Sequence, residues 1–529
     1  MGRRRGVARD QDLQVHLISD RAAPPDTDEH SVPNRNISRN FGAHSLTMPT
    51  TSARAFTVAS AVALACTLGG GTAAAQGPWG PLAPPNPHLG PVGTATMHGD
   101  AGSSDATRLA GPGAGEVGVT GIPLLSACPT LLQGSDGLVV ALCTAIAGQT
   151  PTVHLFDADA SKSVASLPLA KGSLLGGVYA FLDDRNRLVA VDGDRKLQRI
   201  GHTADRLFVD STVDLSGAVP DGDAVTGLVP DWAGNVWFAT GAGVIGAVDA
   251  AGVAKTVRVP AGEQVQNSIS SSPDGVSVAT THALYQLSLA ADGTPRIDWR
   301  HDYDRGSARK PGQLSWGTGS TPTFFGPATG HEYVAIVDNA DTRVNLIVRR
   351  ATTGEQVCSI PVLASGGPGS ENSPVGVGNS VFVAGTYGYP YPKVPEGAGP
   401  AVPASAPFTG GMTRVDLDGT GCHVVWDTAL RSSAVPHLST ADGLLYTVLR
   451  EGAATTTPLD GYAFAAIDPA TGAVLRKTGM GATTANDTLQ MSALITSRGD
   501  YLQGTITGVQ RVRAGGGSGS LGDLGSSGS

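Results

Sequence analysis

Residues 227–259, GLVPDWAGNVWFATGAGVIGAVDAAGVAKTVRV, hold the pattern that most limits what this chain can fold into. Residues 225–229 read as a strand, Pro230-Asp231-Trp232-Ala233-Gly234 as a turn, and 235–240 as a second strand rich in aromatic and β-branched residues. Gly241 to Gly243 turns again, 244–248 makes a third strand, Asp249 to Gly252 a third turn, and 256–259 a fourth strand. Each run is too short for a helix. One such meander leaves an apolar face uncovered, so it needs copies of itself to stack against.

The copies are present. First-hairpin turns recur at Gly137, Asn186, Gly234, Gly275, Gly330, Gly378, Gly443 and Gly499, with separations of 49, 48, 41, 55, 48, 65 and 56 residues. Propeller blades repeat at roughly 40 to 50 residues. A second punctuation, expected between third and fourth strands, recurs at Asp192-Gly193, Asp249 to Gly252, Asp292-Gly293, Asp418-Gly419 and Asp468 to Gly472. The expectation is an all-β fold, a β-propeller of eight four-stranded blades over 118–513, or seven if the Asn186 repeat is an irregular loop. Residues 491–496 form an inner strand, with only one or two clear strands after Gly499, so an N-terminal strand over 119–125 is expected to close the ring.

Two repeats carry a family resemblance. IDPATGAVLRK, at 467–477, resembles the repeat of pyrroloquinoline-quinone-type propellers, and PDWAGNVWFATGAGVIGAVD resembles the repeats of gluconolactonase, NHL and streptogramin-lyase propellers. The resemblance lies at the level of the repeat and covers roughly 120–513. It speaks for fold rather than chemistry.

Charge and cysteines bound the setting. Lys and Arg total 36 against 45 Asp and Glu, a net charge of −9, and no basic run occurs in the mature region, which argues against nucleic-acid binding. Residues 1–47 are polar and without periodicity, either an upstream over-call before a true start at Met48 or a disordered leader. Residues 48–75 have the design of a signal peptide: Arg54, an apolar run over 55–68 too short to span a membrane, and Ala73-Ala74-Ala75 as cleavage signal. The expectation is a secreted protein with no transmembrane span; the alternative is a lipid anchor through Cys66, since Val62 to Cys66 loosely resembles a lipobox. Four cysteines remain after the leader, and an oxidising compartment suits pairing Cys128 with Cys143 and Cys358 with Cys422. Residues 76–117 are Gly- and Pro-rich, a linker or an arm lying on the domain, and 514–529 are a Gly/Ser tail expected to be disordered.

Several motifs reduce to blander readings. Gly241-Ala242-Gly243-Val244-Ile245-Gly246 matches a dinucleotide fingerprint but runs into β-branched residues instead of a helix. His331-Glu332 lacks the second histidine of a zincin, because Ala335 stands there. No G-x-S-x-G elbow occurs. A bound quinone lacks its vicinal cysteine pair, and the Trp residues fall at repeat positions that suit packing, so no organic cofactor is expected.

The more informative set lies just before the inner strands, where a propeller axis collects side chains: Gln266, Asn267, Ser268, Ser320, Thr321, Glu371, Asn372, Ser373, His437, Gln490 and Ser492. Resemblance to lactonase-type propellers implies a Ca²⁺ site that polarises a lactone or ester carbonyl, with Asn267, Glu371 and Asn372 as ligands, Asp338 and Asn339 less well placed, and His437 as a general base. Otherwise these groups cap turns and strand ends. Residues 387–407 insert an aromatic, Pro-rich loop into blade six, a rim for a partner or a tolerated surface insertion. Two functions follow: an extracellular or cell-surface binding module for a protein or small-molecule ligand, expected as a monomer, or a metal-dependent lactonase-like hydrolase or lyase.

Overall fold

The computed structural model describes residues 79–159, 162–172 and 178–515. The leader 1–47, the signal segment 48–75 with Cys66, and the tail 516–529 lie outside the described residues.

Among the described residues, eight sheets built on four-stranded antiparallel meanders follow one another along the chain, and in the seventh Ala106–Thr107 adds a fifth strand parallel to His437–Ser439. Blade three runs Val225–Pro230, Val236–Thr240, Val244–Val248 and Ala254–Arg258, each strand paired to the next. The Asn186 repeat is a complete sheet of the same kind, Phe181–Leu182 to Leu207–Asp214, so the count is eight and not seven. Val117–Pro123 pairs antiparallel with Gly508–Ala514 as the outer strand of the eighth sheet. Among the described residues no helix is long and apolar enough to cross a membrane.

All eight first-hairpin anchors adopt positive φ, from 56° at Gly378 to 143° at Gly275, with Asn186 at 59°. Glycine and asparagine stand there because other side chains resist the left-handed region. The second set of turns differs at one place. Asp192-Gly193 joins Leu188–Val191 to Lys196–His202, the second and third strands of blade two, whereas the other four join third to fourth strands. An Asp-Gly pair specifies a tight turn but not which hairpin holds it.

Eight apolar clusters hold the ring, and each draws on two neighbouring blades. Blades three and four share Trp237, Ile245, Ile269 and Tyr285, and blades eight and one share Leu494, Leu502, Leu131 and Phe156. Cys128 and Cys143 pair across the first two strands of blade one with Cα atoms 4.1 Å apart. Cys358 and Cys422 join the outer strands of blades five and six with Cα atoms 6.0 Å apart.

Candidate functional site

In an antiparallel meander, the connection into each inner strand and the loop between second and third strands fall on the same face of the ring. On that face the inner strands begin, and along the axis below it their edge N–H groups need partners. The Gly- and Pro-rich segment from Trp79 to Gly111 supplies them. Backbone N–H groups of Gln133, Leu182, Ser271, Phe324, Gly376 and Leu438 donate to the carbonyls of Thr94, Ala95, Ala101, Gly102, Ser104 and Asp105, at 2.7 to 3.0 Å. These donors come from blades one, two, four, five, six and seven. Asn86 Nδ2 adds a bond to Pro230 O of blade three at 3.1 Å. Glycine permits the close approach: at Gly99, φ +84°, a Cβ would lie 2.8 Å from Ala106 O.

The arm carries its own polar core. His98 Nδ1 lies 2.9 Å from Asp105 Oδ1, and Ser373 Oγ donates to Asp105 Oδ2 at 2.7 Å. Ser492 Oγ of blade eight stands 3.4 Å from His98 Nδ1. This is not an activated nucleophile, because the serine proton goes to the aspartate rather than to the imidazole. Asp105 is fully buried in a left-handed conformation, φ +51°, so the pair is built at some backbone cost. Burial pushes the Asp100 carboxyl up to about 6, against the pull of its bonds from Ser104. Among the described residues, cavities of about 20 Å³ lie along the arm, one bordered by His98, Asp100, Tyr179 and Ser268, with room for about one water each.

Of the residues singled out in the sequence, Asn267 and Glu371 come together at the mouth of this axis. The Glu371 carboxyl is buried, 8% exposed, and burial raises it to about 7 although Leu314 N–H, the Asn267 amide and Arg309 oppose the shift. Neither oxygen has a hydrogen bond of normal geometry. Tyr179 Oη donates a long bond, 3.4 Å, to Asn267 Oδ1, and the charge of Glu371 also bears on the Tyr179 and Tyr391 hydroxyls, both raised chiefly by burial. Arg309 is spent elsewhere, donating to Gly399 O at 2.9 Å and Gln313 O at 2.8 Å.

The other singled-out residues do not join this pair. Asn372 Nδ2 donates to Gln490 Oε1 at 3.0 Å. Asp338 accepts from Asn345 Nδ2 at 2.7 Å and Asn339 Nδ2 donates to Arg305 O at 2.8 Å, both inside blade-five loops. His437 lies on the inner strand of blade seven against Gly99, with both ring nitrogens unpartnered, and burial pulls it down to about 4. Ca²⁺ takes roughly six to eight oxygens. One carboxylate and one amide within reach of a guanidinium do not fit that ion, and among the described residues no group of three His, Cys, Asp or Glu side chains could hold a metal.

Tyr179, Tyr391 and Arg309 were missed in the sequence. Tyr179 had a signal: it stands two residues before an inner strand, as Asn267 and Glu371 stand three and four before theirs. The insertion of blade six meets the same face. Val402 N donates to Arg309 O and Gly388 N to Pro311 O, both at 2.8 Å, and Phe408 N donates to Ala454 O at 2.9 Å, so three loops are tied backbone to backbone. The Tyr389 ring packs edge-on against Phe408, and its hydroxyl donates to Asp487, which also takes bonds from Tyr462 and Arg450.

No known protein family and no curated protein sequence matches the chain. Among solved structures it is similar to a quinohemoprotein alcohol dehydrogenase from Pseudomonas putida HK5, at 10% identity over 80% of each chain with a TM-score of 0.53. It is also similar to a europium-containing methanol dehydrogenase, at 10% identity over 80% of this chain and 98% of that one with a TM-score of 0.49. A virginiamycin B lyase from Staphylococcus aureus matches at 10% identity, over 75% and 98%, with a TM-score of 0.38. At such identities the likeness concerns fold alone. By its sheets, and in keeping with the likeness in fold to the quinohemoprotein alcohol dehydrogenase at a TM-score of 0.53, the chain is an eight-bladed β-propeller.

Proposed function

We propose that this is an exported binding propeller that docks a protein or small-molecule ligand on the face built by the loops at 303–322, 385–411 and 451–460. One observation carries the reading: the axis is filled by the chain's own arm, leaving cavities of about 20 Å³, while those three loops are tied together around it. Loops held in place before binding lose little freedom on docking. They also present apolar side chains, Trp316 at 38% exposed, Val394 at 41%, Val402 at 60% and Leu459 at 76%. Two cysteine pairs at bonding distance support an oxidising location.

The test is chemical crosslinking in the extracellular and cell-surface fraction, with the unaltered chain beside a variant carrying Val394→Ser, Val402→Ser and Leu459→Ser. The expected result is one defined adduct that disappears in the variant while its Tm stays within about 2 °C, since surface changes away from special features cost little. Hydrolysis of lactones or esters by the purified chain, with a Tm lowered by chelator, would favour the metal-dependent hydrolase instead.

A further inference from the structure

We propose that Trp316 is a stacking platform for the pyranose ring of a neutral saccharide, with Asp304 and Asp341 accepting hydrogen bonds from its hydroxyls. The inference rests on the reading of this face as a binding face, and it names the ligand for one corner of it, the connection from blade four to blade five.

Trp316 is 38% exposed, yet it is held on two sides. Its Nε1 donates to Arg305 O at 3.0 Å, and Arg305 Cζ lies 3.9 Å from the ring centroid. The guanidinium is fixed in turn, donating to His282 Nε2 at 2.7 Å and to Trp316 O at 3.3 Å. One edge and one face of the indole are thereby covered. Among the described residues no other aromatic ring packs on it, and it joins none of the eight apolar clusters, so its exposed area lies on the opposite face and the benzo edge. An aromatic face fixed before binding takes up a flat ring at little cost in freedom.

The polar groups beside the indole select the kind of ring. The turn from Arg305 to Ala308 that receives the indole N–H is also tied by two carboxylates and an amide. Asp304 Oδ1 accepts from Gly306 N and Asp341 Oδ1 from Ser307 N, both at 2.9 Å, and Asn339 Nδ2 donates to Arg305 O at 2.8 Å. Asp304 and Asp341 are exposed, and among the described residues the Oδ2 of each takes no hydrogen bond. A purely apolar partner laid on the indole would strip water from those oxygens and return no donor. A cation would face the guanidinium across the thickness of the ring, and a uronic acid would meet two like charges. A neutral sugar satisfies both demands: the C–H face of its ring covers the indole, and the hydroxyls at its edge donate to the carboxylates.

The experiment is calorimetric titration of the full chain with cellohexaose and with maltohexaose, with hexagalacturonate as the charged counterpart. The expected result is saturable binding of at least one neutral hexasaccharide, weakened roughly tenfold in Trp316→Ala and partly restored in Trp316→Phe. Asp341→Ala, which keeps the indole, is expected to weaken binding by a smaller factor. No saturable binding of either neutral sugar, or equal binding by a folded Trp316→Ala, overturns the proposal. Tighter binding of hexagalacturonate overturns the choice of a neutral ring. A crosslinked adduct of the apolar patch that forms as before in a chain binding none of these sugars overturns this inference alone and leaves the docking face standing.

Discussion

Between neighbouring blades the ring is filled chiefly by side chains such as Ile245, Ile269 and Val278, whereas along its axis the buried groups are His98, Asp105, Ser373, His437 and Glu371. The first region gains from leaving water and needs no directional partner. The second is stable only where each polar group finds a mate, and it finds most of them in one segment, 79–111. The difference teaches where variation is tolerated. A blade interface can be repacked by any residues of fitting volume, but the axis fails or works by individual hydrogen bonds.

The largest effect is expected from breaking an interface. Trp237→Ala removes a ring that is 1% exposed between blades three and four and takes from Asp231 Oδ2 the N–H it accepts at 2.9 Å, leaving it the bond from Asn235 Nδ2 at 2.8 Å. A loss of about 3–5 kcal/mol in denaturant unfolding is expected. On the axis, Asp105→Ala strands His98 and Ser373 together, and a loss of about 2–4 kcal/mol is expected with strand content unchanged by circular dichroism.

The smallest change sharpens the contrast by reversing sign. Glu371 is raised from 4.5 to about 7, so the folded chain binds more protons than the unfolded one between those values. Its contribution is therefore full below pH 4.5 and lost as pH rises through 7. Glu371→Gln escapes that loss: parity with the unaltered chain is expected near pH 4.5, and above pH 7 a gain of about 1–3 kcal/mol, read from Tm across pH. An unaltered pH profile would mean that Glu371 has a donor after all.

How much of this was legible follows the same division. The eight blades were readable because each first hairpin needs a left-handed residue, and Gly137 through Gly499, with Asn186, mark them. The cysteine pairs followed from strand positions. The meeting of Asn267 and Glu371 was readable from their places before inner strands, but the diversion of Asn372 to Gln490 was not, since side-chain direction within a loop has no periodicity to betray it. The arm was the least legible. Its Gly and Pro content is that of any linker, and nothing within 79–111 distinguishes a segment that inner strands will fix from one left in solvent.

That arm also imposes an order of events. Its partners are spread along the whole chain: Thr94 meets Gln133 39 residues on, Asp105 meets Ser373 268 on, and His98 meets Ser492 394 on. Contacts so distant in sequence form late, because the intervening chain must first be brought into place. The segment translated ahead of every blade is thus among the last to be fixed. Until blade eight is complete, the inner edges of the ring stand unsealed, and a copy still folding is at its most vulnerable to pairing with a neighbour.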